Sequence, residues 1–163
     1  MKRMFTMLAV KDVKVAQKFY QDLFNLKVVH DFGLNVSFNN GLALQQEIDW
    51  WLGLPKDKIL EQSNNMALVY EEEYFDDFVA KVESYPGVRY VNEGVKTAEW
   101  GQRTLLIYDL DGHIIEIDEP LKNVIERFQN SGLTLEEVAN RMMISKEDIE
   151  KVLLEGAVHE AVD

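Results

Sequence analysis

The sequence predicts an α+β protein made of two tandem βαβββ modules followed by a helical tail. Residues 7–12 form an apolar run that ends in an acid before an amphipathic helix, and residues 67–72 repeat this pattern 60 positions later. Residues 41–45 are echoed by residues 112–116 at an offset of 71. The offset of 60 is kept across a strand, a helix and the next strand, and an insertion then increases it to 71. A constant offset across several elements indicates an internal duplication.

The first module opens with a predicted strand over residues 5–10, dense in apolar side chains. Asp12 then caps a predicted helix over residues 13–24, because its carboxylate can accept the free N–H groups of the first turn. Short strands separated by Gly33 and an Asn-Asn-Gly turn follow over residues 26–32, 35–38 and 42–47.

The second module follows the same order, with Asp111-Gly112 as the tight turn before its last strand. Its predicted strands and helix cover residues 65–70 (strand), 74–84 (helix), 88–91, 103–109 and 114–118 (strands). We therefore divide residues 1–120 into modules of about 3–47 and 64–119, joined by a connection over 48–63. A connection this long is usually functional or mobile.

Residues 121–163 form a small helical extension, because only helical periodicity remains after Pro120. Thr134 with Glu137 and Ser145 with Asp148 are typical of capping boxes, and the predicted helices cover residues 121–130, 135–142 and 146–155. The spacing resembles a helix-turn-helix, but residues 146–155 carry two lysines against four acids. This charge disfavours DNA, so we expect the extension to pack on the preceding domain, a partner or a second copy.

The amino-acid composition of the chain disfavours several classes of binding partner. The chain has 29 acids against 17 bases, a net charge of −12, which repels nucleic acids and anionic membranes. No apolar run reaches the roughly 20 residues of a membrane helix. The chain has no cysteine, which excludes thiolate metal sites and fits a cytoplasmic protein.

Two motifs resemble those of the vicinal oxygen chelate superfamily, the group of glyoxalase I, extradiol dioxygenases and the fosfomycin- and bleomycin-resistance proteins. Residues 8–13, followed by Phe19-Tyr20, resemble the family's opening strand, acid and helix. Residues 109–116, Asp-Leu-Asp-Gly-His-Ile-Ile-Glu, resemble its closing turn and strand. The resemblance covers roughly residues 3–120 and implies an incomplete barrel around a cavity, often in a homodimer.

The resemblance also implies four metal-ligand positions, on the first and last strands of each module: Phe5, Gln45, Asn65 and Glu116. Phe5 offers no donor, two of the others offer neutral amides, and only Glu116 is a good ligand for a transition metal. His30, His113 and His159 lie far apart in the sequence, and nothing there draws them together. We expect no metal and no cofactor.

The predicted function is metal-independent binding of a small aromatic or cationic molecule. Trp50, Trp51 and Trp100 lie on predicted loops and suit such a ligand, or they pack a dimer interface. Arg103 either meets a ligand carboxylate or forms a surface ion pair. The ligand-binding residues predicted in this way are Phe5, Gln45, Asn65, Trp50, Trp51, Trp100 and Arg103.

An alternative function is a glyoxalase-like lyase or isomerase in which Glu116 is the catalytic base and any metal is weakly held or absent. Desolvation in an apolar cavity would raise the pKa of its carboxyl group, which suits proton transfer. A structural alternative is that the amides of Gln45 or Asn65 meet the charge of Glu116.

Overall fold

A computed structural model describes residues 1–160, with side chains as far as Leu154, and confirms the predicted α+β class. The described part contains two β-sheets, one from each module, and α-helices that include those of the C-terminal tail. None of its helices combines the length and the apolar content needed to cross a membrane.

The first module forms a four-stranded sheet with the strand order β1-β4-β3-β2. Strand β1 is parallel to β4, and the other pairs are antiparallel. Every predicted element is present, with ends within two residues of the prediction: β1 (Thr6–Val10), α1 (Val13–Phe24), β2 (Val28–Asp31), β3 (Asn35–Phe38) and β4 (Leu42–Gln46).

Helix α1 begins where the sequence predicts, because the Asp12 carboxylate accepts the backbone N–H groups of Lys14 and Val15 at 2.8 and 3.0 Å. The helix covers one face of the sheet, where the ring of Tyr20 lies 6.1 Å from that of Phe38. Alternate strand residues point away from α1. We call the side that carries Gln45 and its neighbour Asn35 the open face.

The second module repeats this topology, since its sheet has the order β5-β9-β8-β6. A two-residue strand that the sequence did not predict, β7 (Lys96–Thr97), pairs with β8. The remaining elements are β5 (Ala67–Glu71), α3 (Phe75–Ser84), β6 (Arg89–Tyr90), β8 (Arg103–Tyr108) and β9 (Ile114–Asp118).

The connection between the modules contains two short helices that the sequence did not predict. Helix α2 (Ile48–Leu52) follows Glu47, which has a left-handed backbone at φ 56°, and a 3-10 helix covers Lys56–Lys58. Helix α2 has only five residues, too few for its amphipathic period to be visible.

The C-terminal helices are α4 (Leu121–Asn130), α5 (Leu135–Met142) and α6 (Lys146–Glu160), the last extending past its predicted end. Both predicted capping boxes form, and Thr134 and Glu137 exchange hydrogen bonds. The three helices share an apolar cluster whose buried members are Val124, Ile125, Val138, Ala139, Met142 and Ile149.

By their internal contacts the described residues divide into two compact units. The first unit contains residues 1–68, 80–91 and 107–115, and the second contains residues 69–79, 92–106 and the described residues from 116 onward.

Helix α4 packs closely on the loop between β7 and β8, in the second unit. Gly101 has φ +94°, and a Cβ built there would clash with the ring of Phe128. The carbonyl oxygen of Gly101 also accepts a hydrogen bond from Arg127 at 2.8 Å. Gly94 has a similar φ of +101° but open space around it, so it is a matched control.

We expect Gly101→Ala to lower the free energy of unfolding by about 3 kcal/mol and Gly94→Ala by only about 1 to 2 kcal/mol. Both variants strain the backbone, but only Gly101→Ala also displaces the Phe128 ring. Urea unfolding followed by circular dichroism measures both values. Equal losses would show that the contact between Gly101 and α4 contributes nothing.

Glu119, just after β9, is a buried carboxylate in the second unit that accepts hydrogen bonds from two arginines. Its oxygens accept hydrogen bonds from Arg103 at 3.0 Å and from Arg127 of α4 at 2.8 Å. Burial alone would raise the pKa of Glu119, but the two guanidinium groups outweigh it and hold the pKa below its ordinary value. The carboxylate therefore stays charged and joins β8 to α4.

We expect Glu119→Gln to destabilise the protein by about 3 kcal/mol near pH 7, because it removes the charged partner of Arg127 and leaves Arg103 with Asp76 alone. Since the pKa of Glu119 is lowered by folding, its contribution is full above about pH 4.3 and is lost as the pH falls through the folded-state value. The gap between wild type and variant, measured by urea unfolding at pH 7, 5 and 3.5, should narrow with acid. Glu126→Gln, at an exposed position, is the control, and a gap independent of pH would contradict the assignment.

Candidate functional site

The first unit contains a pocket of about 500 Å³ at the carboxyl ends of the parallel strands β1 and β4. A volume of this order accommodates a small organic ligand. The walls come from the end of β1, the junction of β4 and α2, the connection, and the turn between β8 and β9. The lining residues are 9–11, 46–49, 56, 59–63, 111 and 113.

Hydrogen bonds from neighbouring segments fix the wall at the end of β1. The backbone N–H of Lys11 donates to Asp111 Oδ1 at 2.9 Å, and the Lys11 ammonium group lies 3.2 Å from Glu61. The backbone N–H of Val13 donates to Gln46 Oε1 at 3.0 Å. The end of β1 is thereby tied to β4, to the connection and to the β8–β9 turn.

A buried carboxylate, Asp109, organises the β8–β9 turn. Its Oδ1 accepts the backbone N–H groups of Asp111 and His113 at 3.0 and 2.8 Å. Its Oδ2 lies 2.8 Å from the Tyr20 hydroxyl, which donates to it, and 2.9 Å from His113 Nδ1. Asp109 is only 1% exposed. Burial alone would raise its pKa, but these hydrogen bonds, above all that of His113, hold the pKa below its ordinary value.

The bonding of Asp109 fixes the tautomer of His113. An ionised carboxylate can only accept hydrogen bonds, so Nδ1 of His113 must carry the proton. In the neutral imidazole, Nε2 is then an acceptor on the opposite side of the ring from Asp109. His113 is 23% exposed and belongs to the pocket lining.

The pocket lining is acidic. It contains four carboxylates against two lysines, Lys11 and Lys56, and Lys11 is already paired with Glu61. Among the described residues, the other three carboxylates, Glu47, Asp49 and Asp111, have no ion-pair partner. Burial raises the pKa of Asp111. The lining favours a cation over an anion.

The predicted ligand-binding residues of the first unit lie outside this lining. Gln45 is buried on the open face, where its Oε1 accepts a hydrogen bond from Asn35 and its Nε2 donates to the carbonyl oxygen of Gln46. Phe5 and Asn65 are exposed and precede β1 and β5 rather than lying in them, in contrast to the predicted strand bounds.

Trp50 and Trp51 are 71% and 59% exposed on α2, with ring centroids 6.3 Å apart. They are absent from the pocket lining described above, although Ile48 and Asp49 of the same helix contribute to it. The exposed rings therefore lie on an element that also forms a wall of the pocket.

The predicted site residues of the second unit have different surroundings. Glu116 is half-buried on β9, and its pKa is raised, first by burial and then by the neighbouring Asp118. The Trp100 indole donates to Gln102 Oε1 at 3.0 Å. Arg103 forms hydrogen bonds to both Asp76 and Glu119, so an ion pair already engages its guanidinium group.

The residues at the family's ligand positions do not fit a nickel, zinc or iron site. Phe5 has no donor, and the Oε1 of Gln45 already accepts a hydrogen bond from Asn35. Asn65 is an exposed amide, which leaves Glu116 as the one strong ligand. Within the described residues, no group of three histidine, aspartate or glutamate side chains is placed to hold a metal ion.

The histidines have other surroundings. His30 Nδ1 lies 3.3 Å from the Ser37 hydroxyl, and its ring stacks on Phe32. His113 is bonded to Asp109, as described above. The side chain of His159 lies outside the described part of the chain.

Sequence reasoning missed the pocket and the Tyr20–Asp109–His113 network. All three residues stood in the motifs that carried the family resemblance, but Tyr20 and Asp109 are 89 residues apart in the chain. The motifs were a usable signal for their importance, whereas the hydrogen bond between them is a product of tertiary packing.

Comparison with known proteins places the fold in a family. A family model described as a glyoxalase-like domain matches residues 4–122. A protein of unknown function from Agrobacterium tumefaciens is 29% identical, with a TM-score of 0.61 over 73% of this chain and 94% of that one. A glyoxalase/bleomycin resistance protein/dioxygenase family enzyme from Burkholderia phytofirmans is 11% identical, with a TM-score of 0.64 over 73% and 98%.

A lactoylglutathione lyase from Agrobacterium tumefaciens is 20% identical, with a TM-score of 0.51 over 71% of this chain and 91% of that one. At this identity and at that of the Burkholderia enzyme, the similarity concerns the fold alone. The family match covers more than half of the chain and agrees with the duplicated βαβββ topology. The chain therefore belongs to the glyoxalase-like family of the vicinal oxygen chelate superfamily.

Proposed function

We propose that this chain is a metal-independent glyoxalase-like protein that binds a small organic molecule, aromatic or cationic. The observation that carries the proposal is the pocket of about 500 Å³ in the first unit, with apolar walls and an excess of carboxylates. Its size and mixed lining are those of a small-molecule site.

The donor chemistry supports metal independence. A transition-metal site in proteins needs several imidazole, thiolate or carboxylate ligands, and the four family positions supply one carboxylate and two amides. Recognition in the proposed function therefore relies on hydrogen bonds, ring contacts and charge provided by the protein itself.

The exposed aromatic side chains support an aromatic or cationic ligand. Trp50 and Trp51 stand on α2 and can cover a ligand held in the adjoining pocket, since indole faces attract flat rings and cations. Phe5, Gln45 and Asn65 lie outside the pocket lining, and we propose them as further ligand contacts of the first unit, separate from that pocket. In the second unit, Trp100 and Arg103 are proposed as contacts of a ligand bound to that unit, for which each would exchange its present hydrogen bonds.

We also propose a cytoplasmic homodimer. Several large apolar side chains of the connection are exposed in the single chain, which is typical of surfaces that pair with another copy: Trp50, Trp51, Leu52, Leu54 and Leu60. In this arrangement the tryptophans would serve the dimer interface instead of the ligand, and variants that separate assembly from binding decide between the two roles.

We expect purified protein treated with a chelator to bind at least one member of a panel of small aromatic anions, neutral compounds and cations. Removing both rings in Trp50→Ala/Trp51→Ala should weaken that binding about tenfold, because ring contacts contribute about 1 kcal/mol or more. Calorimetry measures affinity, and size-exclusion chromatography measures assembly.

Tyr74→Ala is the control for a general effect of losing an exposed ring, because Tyr74 is 72% exposed and lies outside the pocket lining. Stoichiometric nickel, zinc or iron in the purified protein, with binding abolished by the chelator, would contradict metal independence. A change of oligomeric state without a change of affinity in the Trp50/Trp51 variant would assign those rings to the interface.

Glu116 supports a second candidate function, a glyoxalase-like lyase or isomerase. Burial and Asp118 both raise the pKa of the Glu116 carboxyl group, which moves it toward the range useful for a general base. The base is active when deprotonated, so turnover should rise with pH through this raised pKa.

If the chain is such an enzyme, Glu116→Gln should lower the rate of lactoylglutathione formation by a factor of about 10² or more. Asp118→Asn removes a neighbouring negative charge, so it should lower the pKa of Glu116 and move the onset of activity to lower pH. Initial rates across pH measure both effects. Activity that is unchanged in Glu116→Gln would exclude Glu116 as the base.

A further inference from the structure

The β8–β9 turn contributes two residues with hydrogen-bond acceptors, Asp111 and His113, to the lining of the pocket of the first unit. Asp111 and His113 are two residues apart, both line the pocket, and both donate their backbone N–H groups to the same oxygen of Asp109. A single buried carboxylate therefore sets the positions of both residues, and this arrangement is preorganised before any ligand arrives.

The two acceptors have complementary properties. In the neutral imidazole, Nε2 of His113 is an acceptor, because the bond to Asp109 holds the proton on Nδ1, and Nε2 has no hydrogen-bond partner among the described residues. One oxygen of Asp111 accepts the backbone N–H of Lys11 at 2.9 Å, which leaves the second oxygen for a ligand. A group that donates two or three hydrogen bonds and carries positive charge would satisfy both.

The remaining charges of the pocket strengthen this preference. Lys11 is engaged by Glu61 at 3.2 Å, so Lys56 is the one lining lysine without an ion pair in the described part. Glu47 and Asp49, at the start of α2, add two carboxylates to the pocket lining. An ammonium group gains from this balance, whereas a ligand carboxylate would be repelled.

The apolar part of the lining defines the rest of the ligand. Val10, Ile48, Ile59 and Leu60 contribute to the pocket and suit a hydrocarbon or aromatic body. A primary ammonium group has three donors and no acceptor capacity, as the lysine side chain illustrates, so it matches a wall of acceptors better than a hydroxyl group does.

We propose that His113 and Asp111 form the recognition site for the protonated amine of a small organic molecule whose apolar body fills the pocket of the first unit. The inference rests on the proposed small-molecule binding function and narrows its ligand class. His113 and Asp111 are ligand-contacting residues in it, and Asp109 and Tyr20 are positioning residues that fix the acceptor of His113.

The test uses three probes of similar size with chelator-treated full-length protein: 2-phenylethylamine (cationic), 2-phenylethanol (neutral) and 3-phenylpropanoate (anionic). Calorimetry should show that the amine binds at least about tenfold more tightly than the alcohol, as expected for hydrogen bonds to charged groups. The anion should bind most weakly. An amine that binds no better than the alcohol overturns the inference.

Asp111→Asn and His113→Gln should each weaken amine binding about tenfold and change alcohol binding less than twofold. Asp111→Asn keeps an oxygen for the Lys11 N–H, so it serves even if His113→Gln fails to fold. His30→Gln, outside the pocket lining, is the matched control. Unchanged amine affinity in folded Asp111→Asn overturns the inference.

Nitrogen NMR of the imidazoles gives a readout that a purely structural role would not move. His113 should carry its proton on Nδ1 in the free protein, and adding the amine should shift the Nε2 resonance. The opposite tautomer, or an Nε2 signal insensitive to saturating amine, overturns the inference.

The outcomes also separate this inference from the proposed function. If the alcohol or the anion binds and the amine does not, the recognition site is wrong while small-molecule binding stands. If none of these probes binds and the wider aromatic panel also fails, the proposed function itself is wrong.

Discussion

The buried carboxylate of Asp109 is the group on which the first unit depends. It accepts hydrogen bonds from the Tyr20 hydroxyl, from the imidazole of His113 and from two backbone N–H groups of the β8–β9 turn. A carboxylate that is 1% exposed would be unstable without such donors, so the helix α1 and the turn must both be in place when it is buried. The position of the pocket wall at the β8–β9 turn therefore depends on the hydrogen bonds of Asp109.

The second unit also contains a buried carboxylate that hydrogen-bond donors stabilise, but the donors are different. Glu119 is also buried, and two arginines supply the compensating charge, one from β8 and one from α4. Because each buried carboxylate has its pKa lowered by its donors, both stay ionised near neutral pH. Charge compensation thereby attaches elements that are distant in the sequence: α1 to a turn of the second module, and the helical tail to the second sheet.

Much of the fold was predictable, because its signals are local. The period of apolar residues, Asp12 before α1, the capping box at Thr134 and the tight turn at Gly112 all act within a few residues, and the structure has each element. The short helix α2 and strand β7 were not predicted, since five and two residues are too few for a period to appear. The candidate site was predictable only as a set of motifs. Tyr20, Asp109 and His113 belong to these motifs, but the motifs do not predict the hydrogen bonds between them.

The sequence by itself determined the duplicated α+β architecture, the family resemblance and the poverty of metal ligands at Phe5, Gln45, Asn65 and Glu116. These properties depend on residue identity and on spacing along the chain. Tertiary structure alone decided where a pocket opens, which nitrogen of His113 bonds to Asp109, and that Arg103 forms ion pairs with Asp76 and Glu119. These features depend on contacts between residues that lie up to about a hundred positions apart in the sequence. The carboxylate of Asp111, for example, accepts the backbone N–H of Lys11 at 2.9 Å. Local propensity carries no information about such distances.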